Sequence, residues 1–199
     1  DIMLFRKIEK SIENHLKSDS NKVMIINGAR QIGKSFIIRY AGQKLFPNYI
    51  EINLLEDSMG ARRFANVKTV SDFYLQVSMF SGEKMKDKDS TLIFLDEIQE
   101  YPHLLALLKF LKQDDRFTYI ASGSLLGVTL ANTSSIPMGS IAVTQMYPLD
   151  FEEFLWALGD DMLMPFIKER FEKKQPLGPA LHRKAMDLFR QYLIVGGMP

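Results

Sequence analysis

Residues 28–35 read Gly-Ala-Arg-Gln-Ile-Gly-Lys-Ser and fit the pattern G-x-x-x-x-G-K-[ST]. A short apolar run before them, Val23 to Ile26, predicts a buried strand, and the apolar spacing across Phe36–Leu45 predicts a helix after them. Glycine permits backbone conformations that other residues avoid, so the loop amides can point at phosphate oxygens. The following helix adds partial positive charge at its first turn. The pattern therefore predicts a phosphate-binding loop.

Two side chains of this loop have specific expected roles. Lys34 is expected to reach the β- and γ-phosphates, and the Ser35 hydroxyl is expected to ligate Mg²⁺. The alternative is a glycine turn with an incidental lysine, but the flanking strand and helix favour a binding loop. The other expected nucleotide contacts are Gly28, Ala29, Arg30, Gln31, Ile32, Gly33 and Phe36.

A second apolar run, Thr91 to Leu95, ends in the acidic pair Asp96 and Glu97. In open α/β sheets, ligands bind at the carboxyl ends of the strands, where such a pair would lie. Asp96 is expected to hold Mg²⁺ through water, and Glu97 to orient and deprotonate an attacking water. Apolar strands that end in acids are common, so this assignment depends on the phosphate loop upstream.

A further strand candidate, Phe117 to Ala121, is followed by Ser122-Gly-Ser124. One of the two serines is expected to sense the γ-phosphate from the same sheet edge. The alternative is a Ser/Gly turn that caps the next helix. The sequence does not decide between the serines, and we carry Ser124 forward as a candidate catalytic residue with Lys34 and Glu97.

Strands and helices alternate along the first part of the chain, which predicts an α/β fold with right-handed crossovers. We expect a three-layer αβα core over residues 1–158 with a mainly parallel five-stranded sheet. A helix is predicted over residues 57–64. Two helical patterns around a Pro/Gly linker predict a small helical lid, or the start of one, over residues 159–199. The predicted strands lie at 23–26, 49–54, 91–95, 117–121 and 140–147.

Composition limits the classes of function. The chain has 199 residues, 46% of them hydrophobic, and its 25 basic and 24 acidic residues give a net charge of +1. This balance does not support a nucleic-acid or membrane partner. The absence of cysteine excludes a disulfide framework and thiolate zinc sites. With no apolar stretch of bilayer length and no signal-peptide core at the start, we expect a cytoplasmic protein.

Five motifs together resemble prokaryotic AAA-type ATPases, in the group whose ATPase domain precedes a C-terminal restriction-endonuclease-like domain of unknown function. The resemblance covers residues 4–199 and implies an αβα nucleotide-binding core followed by a small helical lid. It also implies that the downstream domain is absent from these residues. The motifs are G-A-R-Q-I-G-K-S at 28–35, L-I-F-L-D-E-I-Q at 92–99, A-S-G-S at 121–124, Y-P-L-D-F-E-E-F-L at 147–155 and Y-L-I-V-G-G-M-P at 192–199.

The resemblance adds site assignments residue by residue. It implies Walker B roles for Asp96 and Glu97, and a first-sensor role for Ser122 or Ser124. Related ATPases often keep a polar residue at the end of the second strand that restrains the catalytic glutamate until a partner binds. Asn53 has that position and is therefore a further candidate catalytic residue.

The chain departs from this family pattern at one point. Such proteins usually read Gly-Arg before the fifth strand, where the Arg resembles an arginine finger, but residues 136–140 here read Ile-Pro-Met-Gly-Ser. An arginine finger can contribute about 10³–10⁵ in rate, so slow intrinsic hydrolysis is expected. Arg30, Arg62, Arg63 or a residue of a partner are the alternatives that would compensate.

Three functions follow from these expectations. The first is Mg²⁺-dependent hydrolysis of ATP that drives motion of the lid. The second is a nucleotide-dependent binding switch with little hydrolysis, which the missing Arg favours. The third is a small-molecule kinase, which would need several phosphate-clamping arginines. The predicted lid offers only Arg170 and Arg183, without a tight cluster. Besides ATP and ADP, the expected partners are a second copy of the chain or another protein.

Overall fold

The computed structural model describes residues 4–132 and 138–199. These residues divide into two compact units, one within Ile8–Met146 and the other formed by residues 4–7 together with 147–199. The chain therefore passes from the first unit to the second between Met146 and Tyr147. The helices predicted as a lid over residues 159–199 belong to the second unit, and both their role as a lid and a core that ends at residue 158 stay predictions.

The first unit contains a five-stranded sheet in the order β2-β3-β4-β1-β5. Every neighbouring pair is parallel, which confirms the predicted α/β fold class. In the register, Asn27 pairs with Gly123 and Asn53 pairs with Asp96, so the carboxyl ends of these four parallel strands lie along one edge of the sheet. The strands are β1 Val23–Asn27, β2 Asn48–Asn53, β3 Thr91–Asp96, β4 Thr118–Gly123 and β5 Ile141–Gln145.

Both units contain α-helices. In the first unit they are α1 Ile8–Leu16, α2 Lys34–Leu45, α3 Leu54–Met59, α4 Val70–Ser81, α5 Pro102–Asp114 and α6 Leu126–Asn132. Short 3₁₀ turns lie at Gly82–Lys84, Ile98–Glu100 and Met138–Ser140. In the second unit they are α7 Phe151–Ala157, α8 Leu163–Glu172 and α9 Pro179–Val195. None of the helices in the described ranges is long and apolar enough to cross a membrane.

The sheet separates two apolar cores, which makes the first unit a three-layer structure. Successive side chains of a strand point to opposite faces. In β3, Ile93 and Leu95 therefore pack into one core with residues of α4 and α5, and Leu92 and Phe94 pack into the other with residues of α1 and α2. All six residues of β3 are buried, as expected for a strand covered on both faces.

The first helix after β2 begins and ends earlier than predicted. The prediction of a helix over residues 57–64 is wrong, because α3 starts at Leu54 directly after the strand and ends at Met59. The carbonyl oxygen of the Asn53 side chain accepts hydrogen bonds from the amides of Leu55 at 3.1 Å and Glu56 at 3.3 Å. Asparagine is a strong N-cap residue, so it starts the helix at the strand end.

In the second unit, α7 begins with the capping box that the sequence predicts, formed by Asp150 and Glu153. Glu153 also receives a long-range partner that the sequence did not indicate. The guanidinium of Arg6 donates to Glu153 Oε2 at 2.9 Å and to the carbonyl of Tyr147 at 2.5 Å. Arg6 and Glu153 are both buried, so this ion pair attaches the start of the chain to α7.

Replacing Phe73 by Ala should destabilise the protein strongly. Phe73 on α4 is fully buried and packs against Phe64 at 5.8 Å and Tyr119 at 6.3 Å between ring centroids. We expect Phe73→Ala to lower the free energy of unfolding by about 3–5 kcal/mol in equilibrium urea titrations. The control is Leu75→Ala on the same helix, where the side chain is 57% exposed. Equal small losses in both variants would contradict this account of the core.

Candidate active site

The loop between β1 and α2 has left-handed backbone at two positions. Gly33 has a φ of 93° and Gln31 a φ of 63°, both in the left-handed region. Gly33 is also the N-cap of α2 and supplies no side chain to the first-turn amides, and that turn contains no acidic residue. The first amides of a helix have no intrahelical partner and attract anions. These features are the ones that a phosphate-binding loop requires, and phosphate binding at this loop stays a prediction.

Gly28 lies where no larger residue fits. A Cβ at this position would lie 2.4 Å from the carbonyl oxygen of Met146 and 2.7 Å from Cδ1 of Ile32. The Gly28 amide donates to the carbonyl of Gly123 at 3.2 Å. Close packing against the residue that follows β5, and the hydrogen bond to the end of β4, thus fix the start of the loop. Of the other predicted nucleotide contacts, Ile32 in the loop is fully buried in the core, whereas Phe36 in the first turn of α2 is 46% exposed.

Lys34 is a buried cation held by neutral oxygen atoms. Its side chain is among the buried polar groups, with 3% of the residue exposed. The ammonium donates to the carbonyls of Gly28 at 3.0 Å and Ala29 at 2.7 Å, and to the hydroxyl of Ser124 at 3.4 Å. These three bonds satisfy its donors but do not neutralise its charge.

Two kinds of effect act on the pKa of Lys34 in opposite directions. Burial lowers the pKa of the Lys34 ammonium, and the carboxylates of Glu97 and Asp96 oppose that shift. Arg30 adds to the lowering through charge repulsion. An anion that replaces the neutral partners of such a buried cation would stabilise it.

Asp96 lies at the end of β3 beside the loop. Its Oδ2 accepts a hydrogen bond from the Ser35 hydroxyl at 2.7 Å, and its Oδ1 accepts one from the Ser122 hydroxyl. Burial raises the pKa of Asp96, the hydroxyls of Ser122 and Ser35 oppose that shift, and the charges of Glu97 and Glu51 add to it. The two predicted metal ligands, Ser35 and Asp96, are therefore in direct contact.

This pair of oxygen ligands suits Mg²⁺. The ion usually binds through one or two protein groups and completes its shell with water and substrate phosphates. Within the described ranges, no group of three or more His, Cys, Asp or Glu side chains could hold a metal by itself. The residues present thus fit an ion that is shared with a phosphate ligand.

Glu97 has an unusual backbone conformation and three local partners. Its φ is 58°, in the left-handed region that non-glycine residues seldom adopt. Its Oε2 accepts hydrogen bonds from the Gln99 amide at 2.5 Å and the Ser124 hydroxyl at 3.2 Å. Its backbone amide donates to the Ser122 hydroxyl at 3.2 Å. Such a conformation persists only where surrounding contacts hold it.

The two serines after β4 have different surroundings. Ser122 is fully buried and bonds to Asp96 and to the Glu97 amide. The Ser124 hydroxyl lies between the Lys34 ammonium and the Glu97 carboxylate. This geometry favours Ser124 over Ser122 for contact with a bound ligand.

Asn53 is the predicted site residue with the least support. Its side-chain oxygen caps α3, and the hydrogen bonds to the Glu97 carboxylate come from Gln99 and Ser124. A restraint of Glu97 by Asn53 stays a prediction. Sequence reasoning missed Gln99, although it lies within the D-E-I-Q motif at residues 96–99. The signal was a long amide side chain two positions after the glutamate.

The candidate arginines lie at varied positions. Arg30 in the loop pairs with Glu100 Oε1 at 3.6 Å, and its side chain is 62% exposed. Arg63 stacks over the ring of Phe80 at 5.7 Å from the centroid. Arg170 in the second unit donates to Gln175 at 2.8 Å. The departure from the family pattern begins at Ile136 and Pro137, which lie outside the described residues.

The parallel sheet, the glycine loop and the lysine define a P-loop nucleoside triphosphatase fold. Residues 20–155 match the AAA domain family, and the chain belongs to that family. In 175 aligned residues it is 23% identical to an uncharacterized protein of Haemophilus influenzae, which covers 84% of this chain and 43% of that protein. The chain thus spans less than half the length of this curated relative.

Two solved structures show the same fold. The Walker-type ATPase of Pyrococcus abyssi superposes with a TM-score of 0.58 at 14% identity, over 99% of this chain and 65% of that one. Hsp104 of S. cerevisiae in its ADP complex superposes with a TM-score of 0.54 at 16% identity, over 80% of this chain and 24% of that one. At these identities the similarity establishes the fold.

Replacing Asp96 by Asn should stabilise the unliganded protein at pH 7. Because burial raises the folded-state pKa above the ordinary value of 3.8, the charged carboxylate weakens the fold above the folded-state pKa. That penalty disappears below the unfolded-state pKa, where Asp96 is protonated in both states. The gain in Tm of Asp96→Asn should therefore shrink as the pH falls toward 4.

The matched control is Asp19→Asn at an exposed position. In scanning calorimetry, addition of Mg²⁺ to ATP-loaded protein should raise the Tm of the parent and of the control but not of Asp96→Asn. A less stable Asp96→Asn protein at pH 7 would contradict the interpretation that the buried, charged carboxylate destabilises the unliganded fold.

Proposed function

We propose that the protein binds ATP and hydrolyses it to ADP and phosphate with Mg²⁺. The observation that carries this proposal is the buried ammonium of Lys34, bonded to neutral oxygens within reach of Ser124 and beside two carboxylates. An anion at the first turn of α2 would replace the carbonyls as the partner of Lys34. A triphosphate supplies such an anion, and hydrogen bonds of 3.4 Å and 3.2 Å through the Ser124 hydroxyl connect Lys34 with the Glu97 carboxylate.

Each site residue then has a role. The amides of the loop and of the first turn of α2 bind the β- and γ-phosphate oxygens, and Lys34 neutralises their charge. Ser35 and Asp96 would hold Mg²⁺, which neutralises charge on the phosphates when bound. Glu97 accepts a proton from the attacking water, and Ser124 contacts the γ-phosphate. Donors fixed before the reaction need no reorganisation, which favours hydrolysis in this site.

The relatives support this assignment by class. The chain belongs to the AAA domain family, and the Pyrococcus abyssi structure with the same fold is described as a Walker-type ATPase. Motion of the helices after residue 158, assembly with a second copy or another protein, and a cytoplasmic location stay predictions. Membership in the group that carries a C-terminal restriction-endonuclease-like domain, with that domain absent from these residues, also stays a prediction.

A second candidate is a nucleotide-dependent switch with little hydrolysis. Its specific support is the sequence Ile-Pro-Met-Gly-Ser at residues 136–140, which lacks the arginine that the family pattern has before the fifth strand. An arginine finger can contribute about 10³–10⁵ in rate. Without one, a partner would have to supply that positive charge before hydrolysis becomes fast. The switch predicts tight ATP binding without phosphate release at any concentration of the protein.

Replacing Glu97 by Gln should separate binding from turnover. The amide keeps the size of the side chain but cannot take a proton, so we expect phosphate release to fall by about 10²–10⁴. The Kd for ATP should change by less than about threefold, because Glu97 contributes little to ground-state binding. Phosphate release and equilibrium ATP binding are measured on the same preparations.

The matched control is Glu83→Gln, at an exposed position in the turn after α4, which should behave like the parent. Unchanged turnover in Glu97→Gln would contradict the role of Glu97. ATP binding by a parent protein that releases no phosphate would favour the switch.

A further inference from the structure

The side chain of Gln99 connects two parts of the site. Its Nε2 donates to Glu97 Oε2 at 2.5 Å, and its Oε1 accepts a hydrogen bond from the backbone amide of Ser124 at 3.0 Å. The same Ser124 donates through its hydroxyl to Glu97 Oε2 at 3.2 Å. Three residues from the ends of two neighbouring strands therefore form one closed set of hydrogen bonds.

The backbone directs Gln99 into this position. The left-handed conformation of Glu97 turns the chain at the end of β3, and a 3₁₀ turn over Ile98–Glu100 follows. Ile98 is fully buried and anchors that turn in the core. The side chain of Gln99 can then lie back across the end of β4. Its position is thus determined by backbone geometry and by an apolar anchor.

Gly123 provides the space for this side chain. A Cβ at Gly123 would lie 3.2 Å from Gln99 Oε1 and 3.3 Å from Cδ1 of Leu126. Contacts of this length require the neighbouring group to move. A Cβ at the last residue of β4 would therefore displace the Gln99 amide or the Leu126 side chain by a few tenths of an ångström.

The hydrogen bonds also determine which way the amide points. The Ser124 backbone N–H can only donate, so the Gln99 oxygen must face it. The NH₂ group then faces the Glu97 carboxylate, which can only accept. A side chain with one acceptor, one donor and this length meets both requirements, and among the common amino acids glutamine has that combination.

We propose that Gln99 is the positioning residue for Glu97: it aligns the carboxylate with Ser124, and so with the end of β4. This inference rests on the proposed hydrolysis and deepens it. The Lys34 ammonium donates to the Ser124 hydroxyl at 3.4 Å. The same alignment therefore fixes the Glu97 carboxylate relative to Lys34. Without Gln99, Glu97 loses one of its two side-chain donors and can swing on its χ angles.

The first test uses two replacements of Gln99. Gln99→Glu keeps an acceptor for the Ser124 amide but sets a second carboxylate against Glu97, and Gln99→Met keeps the length without any polar group. A misplacement of about 1 Å can cost about 100-fold in rate, so we expect kcat to fall by roughly 10- to 100-fold in both. The Kd for ATP should stay within about threefold of the parent, because the phosphate loop is unchanged.

The matched controls are Gln113→Glu and Gln113→Met, at an exposed position on α5, which should leave kcat unchanged. If both Gln99 variants keep the kcat of the parent, the proposal is overturned. A fall in ATP affinity that accounts for the whole loss of activity would also overturn it, since Gln99 would then act on binding rather than on alignment.

The second test asks whether Gln99 acts through Glu97. In the background of Glu97→Gln, the further change Gln99→Met should cause no additional loss of kcat, because the group that it aligns is already gone. Losses that multiply would show that Gln99 acts elsewhere. If Glu97→Gln alone is as active as the parent, the proposed hydrolytic role fails instead, so the two failures are distinguishable.

A third variant tests the alignment without replacing Gln99. Gly123→Ala should press on the Gln99 amide and lower kcat in the same direction, by a smaller factor than Gln99→Met. Its control is Gly127→Ala on α6, where a Cβ would meet no atom within 4 Å. A Gly123→Ala protein that is folded by circular dichroism and has the kcat of the parent would count against the proposal, even if Gln99→Met did not fold.

Discussion

The structure depends on a positive charge that it buries without a direct counter-ion. The Lys34 ammonium is bonded to two carbonyls and one hydroxyl, and the nearby carboxylates act on it through space. Burying a charge is costly unless it is paired. The fold tolerates the free-energy cost of burying Lys34 because its loop is held in place. Gly28 packs closely against Met146 after β5, and Gly33 adopts a left-handed conformation. Anion binding would convert this stored cost into affinity.

The two acids at the end of β3 are also held by neutral hydrogen-bond donors. Asp96 is buried, its pKa is raised, and two hydroxyl groups keep it hydrogen-bonded without neutralising it. Glu97 is held in a left-handed conformation by Gln99, Ser124 and Ser122. Lys34 is therefore hydrogen-bonded to neutral oxygens and Asp96 to hydroxyl groups, at the same edge of the sheet. A phosphate ligand with a bound divalent ion complements both at once.

Much of this arrangement follows from local sequence. The loop from Gly28 to Ser35 and the strand that ends in Asp96 could be predicted because their signals lie within contiguous residues. The fold class followed from the alternation of strands and helices. The early start of α3 was missed, although Asn53 is a strong N-cap residue, because the apolar pattern was read without the cap.

Other features depend on register and could not be predicted. The sequence did not distinguish Ser122 from Ser124. The distinction depends on which serine contacts Asp96 on β3 and which contacts Lys34 on α2. The hydrogen bond from the Ser124 amide to Gln99 depends on the left-handed turn at Glu97. Glutamate at a position does not by itself predict that conformation. The ion pair of Arg6 and Glu153 joins residues that are far apart in the chain.

The most direct test of the central claim is calorimetric titration of Mg²⁺–ATP into the parent, Lys34→Ala and the surface control Lys10→Ala. We expect Lys34→Ala to weaken ATP binding by about 100-fold or more, since charge-assisted bonds to phosphate are lost, and Lys10→Ala to bind like the parent. Equal affinity in all three proteins would contradict the claim that this buried ammonium is there to receive a phosphate.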